Sequence, residues 1–187
     1  MKLSDSDIEE YIKDGRLVLM PHDLPISFDP TEQIQPASVD LTLGDEMYTY
    51  SESDEPLDVK NPDDPDEKMT GDEFTIEPKQ FALAYTQEVL DVPRDVSAAV
   101  KGRSSIGRLG LHIHTAGWVD PEFKGQITLE FVNHLNRPLK LHKGMRICQV
   151  VFDVLQTSPD ISYAEKEDSK YTNQSGVTPS RVGDDFD

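Results

Sequence analysis

The sequence predicts a mainly β fold, a barrel or sandwich preceded by one short N-terminal helix. Thirteen prolines and eleven glycines separate short stretches rich in strand-forming residues, which is typical of an all-β domain. Side chains in 81–86 and 126–131 alternate with period two, as they do in strands that have one face in the core. The 187 residues fit one domain, with a body over 1–157 and a C-terminal arm over 158–187.

The individual elements follow from local signals. A helix is expected over 4–14, where Ser6 and Glu9 form a capping box and Gly15 stops the helix. The segment 146–154 is nearly continuous in apolar residues, which predicts a strand deep in the core. The acidic, proline-containing segment 52–72 is expected to be an exposed insertion or a long hairpin loop. Beyond residue 157 large apolar side chains are few, so we expect an arm that is ordered only when it docks.

The net charge of −18 opposes binding to nucleic acid or to an anionic membrane. Adaptation to high salt and an ordinary acidic surface both fit this charge. Apolar stretches are far shorter than the roughly 20 residues that span a bilayer, and the N-terminus has no apolar signal-peptide core. We therefore expect a cytoplasmic protein.

A single cysteine, Cys148, rules out an internal disulfide bond. Zinc-dependent nucleobase deaminases need a histidine or cysteine together with a Cys-x-x-Cys pair to hold the metal. One cysteine cannot supply that pair, so this class of enzyme is excluded.

The charge is unevenly distributed along the chain. Thirteen acidic residues in 45–77 stand against two lysines, whereas 101–149 contains eight basic residues and three acids. A basic segment in an acidic chain predicts a local anion site. Within it, 101–108 combines two glycines, two hydroxyls and two arginines, the groups that bind phosphate oxygens. A tight turn with solvated charges explains this motif equally well.

Two carboxylates in the same region are candidates for chemistry. Asp120 precedes a proline, a common turn arrangement, so a purely structural role is open. In the strand 126–131, Leu129 and Phe131 share one face, and Glu130 shares the other with Gln126 and Thr128. That face is either solvated or lines a cleft, where burial would raise the pKa of Glu130 towards that of a general base.

His112 and His114 project to the same side of a predicted strand, as metal-binding histidines do in cupin-type barrels. The glutamate expected about four residues later is missing, because the next acid, Asp120, lies six residues past His114. Packing in the core or in a cleft is therefore preferred over a metal site.

Four segments, taken in order, resemble the motifs of the dUTPase and dCTP deaminase superfamily. They are PASVDLTLG at 36–44, GRSS at 102–105, AGWVD at 116–120 continuing to Gly125, and GMRICQ at 144–149. The resemblance implies a distorted β barrel of the β-clip or jelly-roll type. It also implies a homotrimer with its sites between subunits.

Two further features resemble the deaminase branch. The strand TLEF at 128–131 is similar to the one that supplies the family's catalytic glutamate, here Glu130. The arm is similar to one that folds over the triphosphate with a tyrosine, a lysine and a glutamine, here Tyr163, Lys170 and Gln174. Gly117 and Trp118 replace the His-Arg pair of deaminases that release dUTP, as in the bifunctional enzymes that form dUMP.

The resemblance therefore implies hydrolytic deamination of dCTP at a cyclic amidine carbon, coupled to release of pyrophosphate. Glu130 would move protons, Asp120 would serve the second step, and Mg²⁺ would arrive with the triphosphate, without zinc or a protein-held metal. dTTP is a candidate inhibitor. A deaminase that stops at dUTP is the alternative, followed by a dUTPase or a non-catalytic nucleotide sensor. The expected nucleotide-binding residues are Lys101, Gly102, Arg103, Ser104, Ser105, Ile106, Gly107, Arg108, Asp120, Thr128, Leu129, Glu130, Gln149, Tyr163, Lys170 and Gln174.

Two residues depart from the family pattern. Glu122 and Cys148 occupy positions where the family usually has glycine. Glu122 is expected to alter turn geometry or magnesium affinity near Asp120.

Overall fold

A computed structural model of the chain describes residues 1–19, 28–114 and 117–186. It is mainly β, as expected, with a sheet curled into a half-barrel. The strands of the described residues are β1 (Ile34–Gln35), β2 (Ser38–Thr49), β3 (Glu67–Thr70), β4 (Glu73–Ile76), β5 (Phe81–Asp91), β6 (Val96–Gly102), β7 (Leu111–Ile113), β8 (Trp118–Val119), β9 (Lys124–Asn133), β10 (Leu139–His142) and β11 (Arg146–Val154). The helices are α1 (Asp5–Lys13), α2 (Pro30–Gln33) and α3 (Ser104–Gly107).

Within the described ranges, nine strands form one sheet in the order β7-β9-β5-β2-β11-β6-β8, with β1 and β3 attached to β2. β4 and β10 pair separately. The long strand β2 joins the two halves of the sheet, because its first part pairs with β11 and its second part with β3 and β5. The core between the two halves contains Leu41, Met47, Phe131, Ile147 and Phe152.

The N-cap of the N-terminal helix lies two residues before the predicted one. Ser4, with extended backbone, is the N-cap, and its reciprocal partner is Asp7: Ser4 N donates to Asp7 Oδ2 at 2.9 Å. The predicted capping box of Ser6 and Glu9 is therefore wrong, since both residues lie inside the helix. Gly15 follows the last turn with φ +70°, which fits the predicted stop.

The three predicted strands are present as β5, β9 and β11. The prediction for 146–154 matches β11, which lies between β2 and β6. The acidic segment is an exposed loop only as far as residue 66, because 67–70 pairs with β2 as β3. All four residues of β3 pair antiparallel with residues 46–49 of β2, and this long-range pairing is not visible in the local composition.

The chain beyond β11 contains two short 3-10 helices, Tyr163–Glu165 and Val182–Asp185. Arg94 anchors the start of this segment: its Nη2 donates to the Asp160 carbonyl at 2.9 Å and lies 2.9 Å from Glu165 Oε2. The Arg94 hydrogen bond lowers the pKa of Glu165 to about 2. No helix among the described residues is both long and apolar enough to cross a membrane.

Gly44 in β2 packs closely against the ring of Tyr85 in β5. A Cβ at position 44 would be 2.5 Å from the ring carbon Cζ. We expect Gly44→Ala to lower the free energy of unfolding by about 1–3 kcal/mol, because the ring must move in a packed sheet. Urea unfolding measures the change. Gly107→Ala is the control, since a Cβ at that position would have no atom within 4 Å. Equal stability of the two variants would contradict this contact.

Candidate active site

The basic motif forms one wall of a cavity of about 630 Å³, which we call the Arg103 cavity. α3 turns the chain directly after β6, so Ser104 and Ser105 line this space. Gln149 of β11 closes it, and its Nε2 donates to the Gly102 carbonyl at 3.3 Å. The cavity is lined by Gln35, Pro36, Ser38, Asp40, Gly102, Arg103, Ser104, Ser105, Ile106, Gly107, Leu111, His112, Ile113 and Gln149.

A buried aspartate fixes the position of Arg103. Asp40 Oδ2 lies 3.1 Å from Arg103 Nε and 3.7 Å from Arg146 Nη1. Arg103 Nη1 also donates to the Arg146 carbonyl at 2.8 Å. Burial raises the pKa of Asp40, and the charges of the two arginines oppose that effect. These contacts therefore hold the Arg103 guanidinium at the wall of the Arg103 cavity.

Glu130 lies in a second cavity, of about 430 Å³, which we call the Glu130 cavity. β9 brings Thr128 and Glu130 to its wall, and β5 and β6 contribute apolar side chains. The C-terminal segment covers one side. The lining consists of Tyr50, Phe81, Leu83, Val100, Gly117, Trp118, Val119, Asp120, Phe123, Ile127, Thr128, Glu130, Tyr163, Tyr171, Gln174, Thr178, Pro179 and Ser180.

The environment of Glu130 suits a group that exchanges protons. Burial raises the pKa of Glu130, and the nearby charge of His114 lowers it by less. The expected cleft, with a raised carboxylate pKa, is thus the arrangement present. A carboxylate whose pKa is raised binds a proton more readily than an exposed one, which suits a group that accepts and returns protons.

Asp120 lies beside an exposed tryptophan in the same cavity. Trp118 Nε1 donates to Asp120 Oδ1 at 2.9 Å, although the indole itself is 65% exposed. Gly117 is required here because a Cβ would lie 2.5 Å from Val100 Cβ. Thr115 and Ala116, which precede this pair in the third motif, lie outside the described residues.

Two of the three expected arm residues, Tyr163 and Gln174, line the Glu130 cavity, and Lys170 does not. Tyr163 packs against Phe123, with ring centroids 6.2 Å apart, and Gln174 lines the Glu130 cavity. Lys170 instead pairs with Asp185, with Nζ 2.5 Å from Oδ1. A nucleotide that uses Lys170 would have to compete with this carboxylate.

The chain does not bring all the expected residues to one place. Ser104 and Ser105 lie in the Arg103 cavity, Asp120 and Glu130 lie in the Glu130 cavity, and no described residue lines both. Lys101 and Arg108 are exposed near the Arg103 cavity but do not line it. Leu129 is buried in the core, so only its backbone can reach a ligand.

His112 and His114 project to one side of the sheet edge, as predicted, with ring centroids 5.3 Å apart. His134 lies edge-on to His112 at 5.7 Å. All three are exposed rather than packed in the core. Across the described residues, no three potential metal-ligating side chains of His, Cys, Asp and Glu converge.

The two departures from the family pattern have local explanations. Glu122 adopts φ +63°, a conformation that favours glycine, and its carboxylate lies 3.4 Å from Arg94 Nη1. Cys148 is fully buried opposite Gly102, where burial raises the pKa of its thiol. Glu122 thus keeps a backbone conformation that favours glycine and pairs with the arginine that anchors the start of the arm.

Asp40 and Gln126 were not among the site residues predicted from the sequence. Asp40 stands within the first motif, but nothing in that motif shows its pairing with Arg103. Gln126 shares the alternation of Thr128 and Glu130, and this alternation was the available signal.

A family model described as "dCTP deaminase-like" matches residues 2–155. A Persephonella marina protein named "dCTP deaminase, dUMP-forming" is 46% identical over 186 residues, covering 97% of each chain. A Methanobrevibacter smithii protein of the same name is 43% identical over 194 residues, covering 99% of this chain and 97% of its own.

Among solved structures, the 2'-deoxycytidine 5'-triphosphate deaminase from Agrobacterium tumefaciens is similar, with a TM-score of 0.64 and 23% identity. The match covers 82% of this chain and 48% of that one, so this chain spans about half of its length. The likeness supports the fold.

We expect Glu130 and Glu165 to titrate on opposite sides of the ordinary glutamate value of about 4.3. Burial raises the pKa of Glu130, whereas Arg94 lowers that of Glu165 to about 2. Carboxyl-detected NMR measures both. His114→Ala should raise the pKa of Glu130 further, because it removes a positive charge. A pKa for Glu130 at or below that of an exposed glutamate would contradict the cavity's effect.

Proposed function

The chain belongs to the dCTP deaminase-like family, and we propose that it converts dCTP and two water molecules to dUMP, ammonia and pyrophosphate. Relatives that carry the name "dCTP deaminase, dUMP-forming" match it over nearly its whole length. The observation that carries the proposal is Glu130, a half-buried carboxylate with a raised pKa inside a partly apolar cavity. Residues 1–157 form the catalytic body and 158–187 the arm.

In the first step, Glu130 takes a proton from water and the resulting hydroxide adds to C4 of cytosine. Glu130 passes this proton to N3 and then moves the proton of the new C4 hydroxyl to the amino group. The bond from C4 to the amino nitrogen breaks, ammonia leaves, and C4 becomes a carbonyl. The water has to be held by hydrogen bonds in a defined position, for which Ser105, Arg108 and backbone groups are candidates.

In the second step, water attacks the α-phosphorus and pyrophosphate leaves. Asp120 orients this water or the deoxyribose, and the indole N–H of Trp118 fixes one of its carboxylate oxygens at 2.9 Å. The other oxygen remains the acceptor for the substrate. Gly117 and Trp118 favour the dUMP-forming reaction over a deaminase that stops at dUTP.

The two cavities become one site when copies of the chain assemble. Because the Arg103 and Glu130 cavities share no lining residue, we place the triphosphate of one site on Ser104, Ser105 and Arg108 of a neighbouring copy. A homotrimer supplies three such pairs. Exposed Leu109 and Trp118, each beside one cavity, are consistent with a surface that is covered on assembly.

Magnesium enters this scheme with the nucleotide. The residues fit a metal held chiefly by phosphate oxygens, since Asp120 offers one carboxylate near the triphosphate. Among the described residues, no group of three or more potential zinc ligands is present. Bound in this way, Mg²⁺ would neutralise phosphate charge.

dTTP, which carries the same sugar and triphosphate, is the inhibitor that we propose for this site. A dUTPase or a nucleotide sensor is the less favoured alternative.

The decisive assay measures ammonia, pyrophosphate and nucleotide products together from dCTP. We expect dUMP and pyrophosphate in equal amounts, without free dUTP. Release of dUTP would establish the alternative deaminase, and binding without turnover would establish a sensor.

Two variants separate the steps within the same assay. Glu130→Gln should reduce deamination by at least the roughly 100-fold typical of losing a general base, while dCTP still binds. Asp120→Asn should suppress pyrophosphate release more than ammonia release. Retained deamination by the first variant, or unchanged dUMP formation by the second, would remove the assigned role.

A further inference from the structure

The arm docks on strand β9 through backbone hydrogen bonds. Gln174 pairs with Gly125 in a parallel bridge, and Gln126 N donates to the Gln174 carbonyl at 3.1 Å. One residue earlier, Asn173 N donates to the Lys124 carbonyl at 2.7 Å. Gly125 permits this approach, because a Cβ there would be 2.9 Å from the Gln174 carbonyl oxygen, and its φ is +150°.

The side chain of Gln126 extends this contact. It is 5% exposed, and its Oε1 accepts from Gly176 N at 2.7 Å. Its Nε2 donates to the Gln87 carbonyl of β5 at 3.1 Å. The amide therefore has a defined orientation, with its donor on the sheet and its acceptor on the arm.

The same face of β9 continues towards the cavity. Thr128 Oγ1 accepts from Thr178 N at 3.1 Å, and Glu130 follows two residues later. The arm is thus held at two points, Gly176 and Thr178. These residues are two positions apart, as are successive side chains on one face of a strand. These points place Gln174, Thr178 and Pro179 in the wall of the Glu130 cavity.

We propose that Gln126 is a positioning residue for the reaction, which sets the arm's register on β9 so that Gln174 and Thr178 form the cavity wall beside Glu130. In this docked register Gln174 Nε2 itself donates to the Gln126 carbonyl. The inference rests on the proposed function for its kinetic consequence, but not for the docking itself. We do not place Gln126 against the reacting atoms, because its side chain is hydrogen-bonded to the Gly176 N–H and to the Gln87 carbonyl.

Removing the Gln126 acceptor should weaken docking of the arm because the Gly176 N–H is partly buried. Without the Gln126 acceptor, the Gly176 N–H loses its partner, and the docked arm becomes less favourable by roughly tenfold, the size expected for one such hydrogen bond. The sheet is affected less, because β5 and β9 pair at several other register positions on both sides of Gln126.

Gln126→Met tests the proposal, with Gln80→Met as the matched control. Gln80 accepts from Glu77 N at 2.8 Å in a turn outside the arm, so the control removes one comparable side chain–backbone hydrogen bond. Hydrogen exchange of residues 173–178 without nucleotide reports docking. Steady-state kinetics with dCTP reports KM and kcat separately.

For Gln126→Met we expect roughly tenfold faster exchange in the arm, a similar rise in KM and a kcat within about threefold of the parent. Gln126→Glu, which keeps an acceptor for Gly176, should retain most of the arm's protection. Gln80→Met should change neither.

Unchanged arm protection in Gln126→Met, or a fall in kcat with KM unchanged, would overturn the proposal. Loss of protection in β5 as large as that in the arm would also overturn it, since Gln126 would then serve the sheet. If the parent chain fails to turn over dCTP, the proposed function fails, and hydrogen exchange still decides the docking role.

Discussion

The pairing of β9 between β5 and β7 determines the arrangement of the site. β5 pairs with β9 along most of its length, and β7 pairs with its end. Since alternate side chains of a strand project to opposite faces, this pairing directs Leu129 and Phe131 into the core. Gln126, Thr128 and Glu130 then share the other face. One strand therefore carries both the contacts of the arm and the carboxylate that the arm covers.

Two carboxylates of the Glu130 cavity differ in their surroundings, and this difference suits two roles. Glu130 has its pKa raised by burial, which favours proton exchange. Asp120 has one oxygen fixed by the Trp118 indole N–H. In the proposed function, Glu130 therefore transfers the proton. The tryptophan thereby connects the proposed dUMP-forming step with a specific hydrogen bond.

The alternation of β9 and the position of β11 were predictable, because both depend on neighbouring residues in the sequence. The helix cap was misplaced because Ser4 and Ser6 each have an acid three residues later, and only the backbone geometry selects Ser4. The separation of the two cavities depends on how the sheet curls. The role of Gln126 depends on where a segment fifty residues later docks. The separation of the cavities has no local signature, and the alternation that puts Gln126 on the face of Glu130 does not show which segment docks there.

The central claim is that each active site combines the Arg103 cavity of one copy with the Glu130 cavity of another. Co-expressing Glu130→Gln with the double variant Ser105→Ala, Arg108→Met tests it most directly. The first variant has a defective Glu130 cavity, and the second has a defective phosphate-binding side at the Arg103 cavity. Random mixing in a symmetric assembly should restore dCTP deamination to about a quarter of the parent level, because about one interface in four joins two intact halves. Activity no higher than the average of the two separate variants would show that each chain builds its site alone.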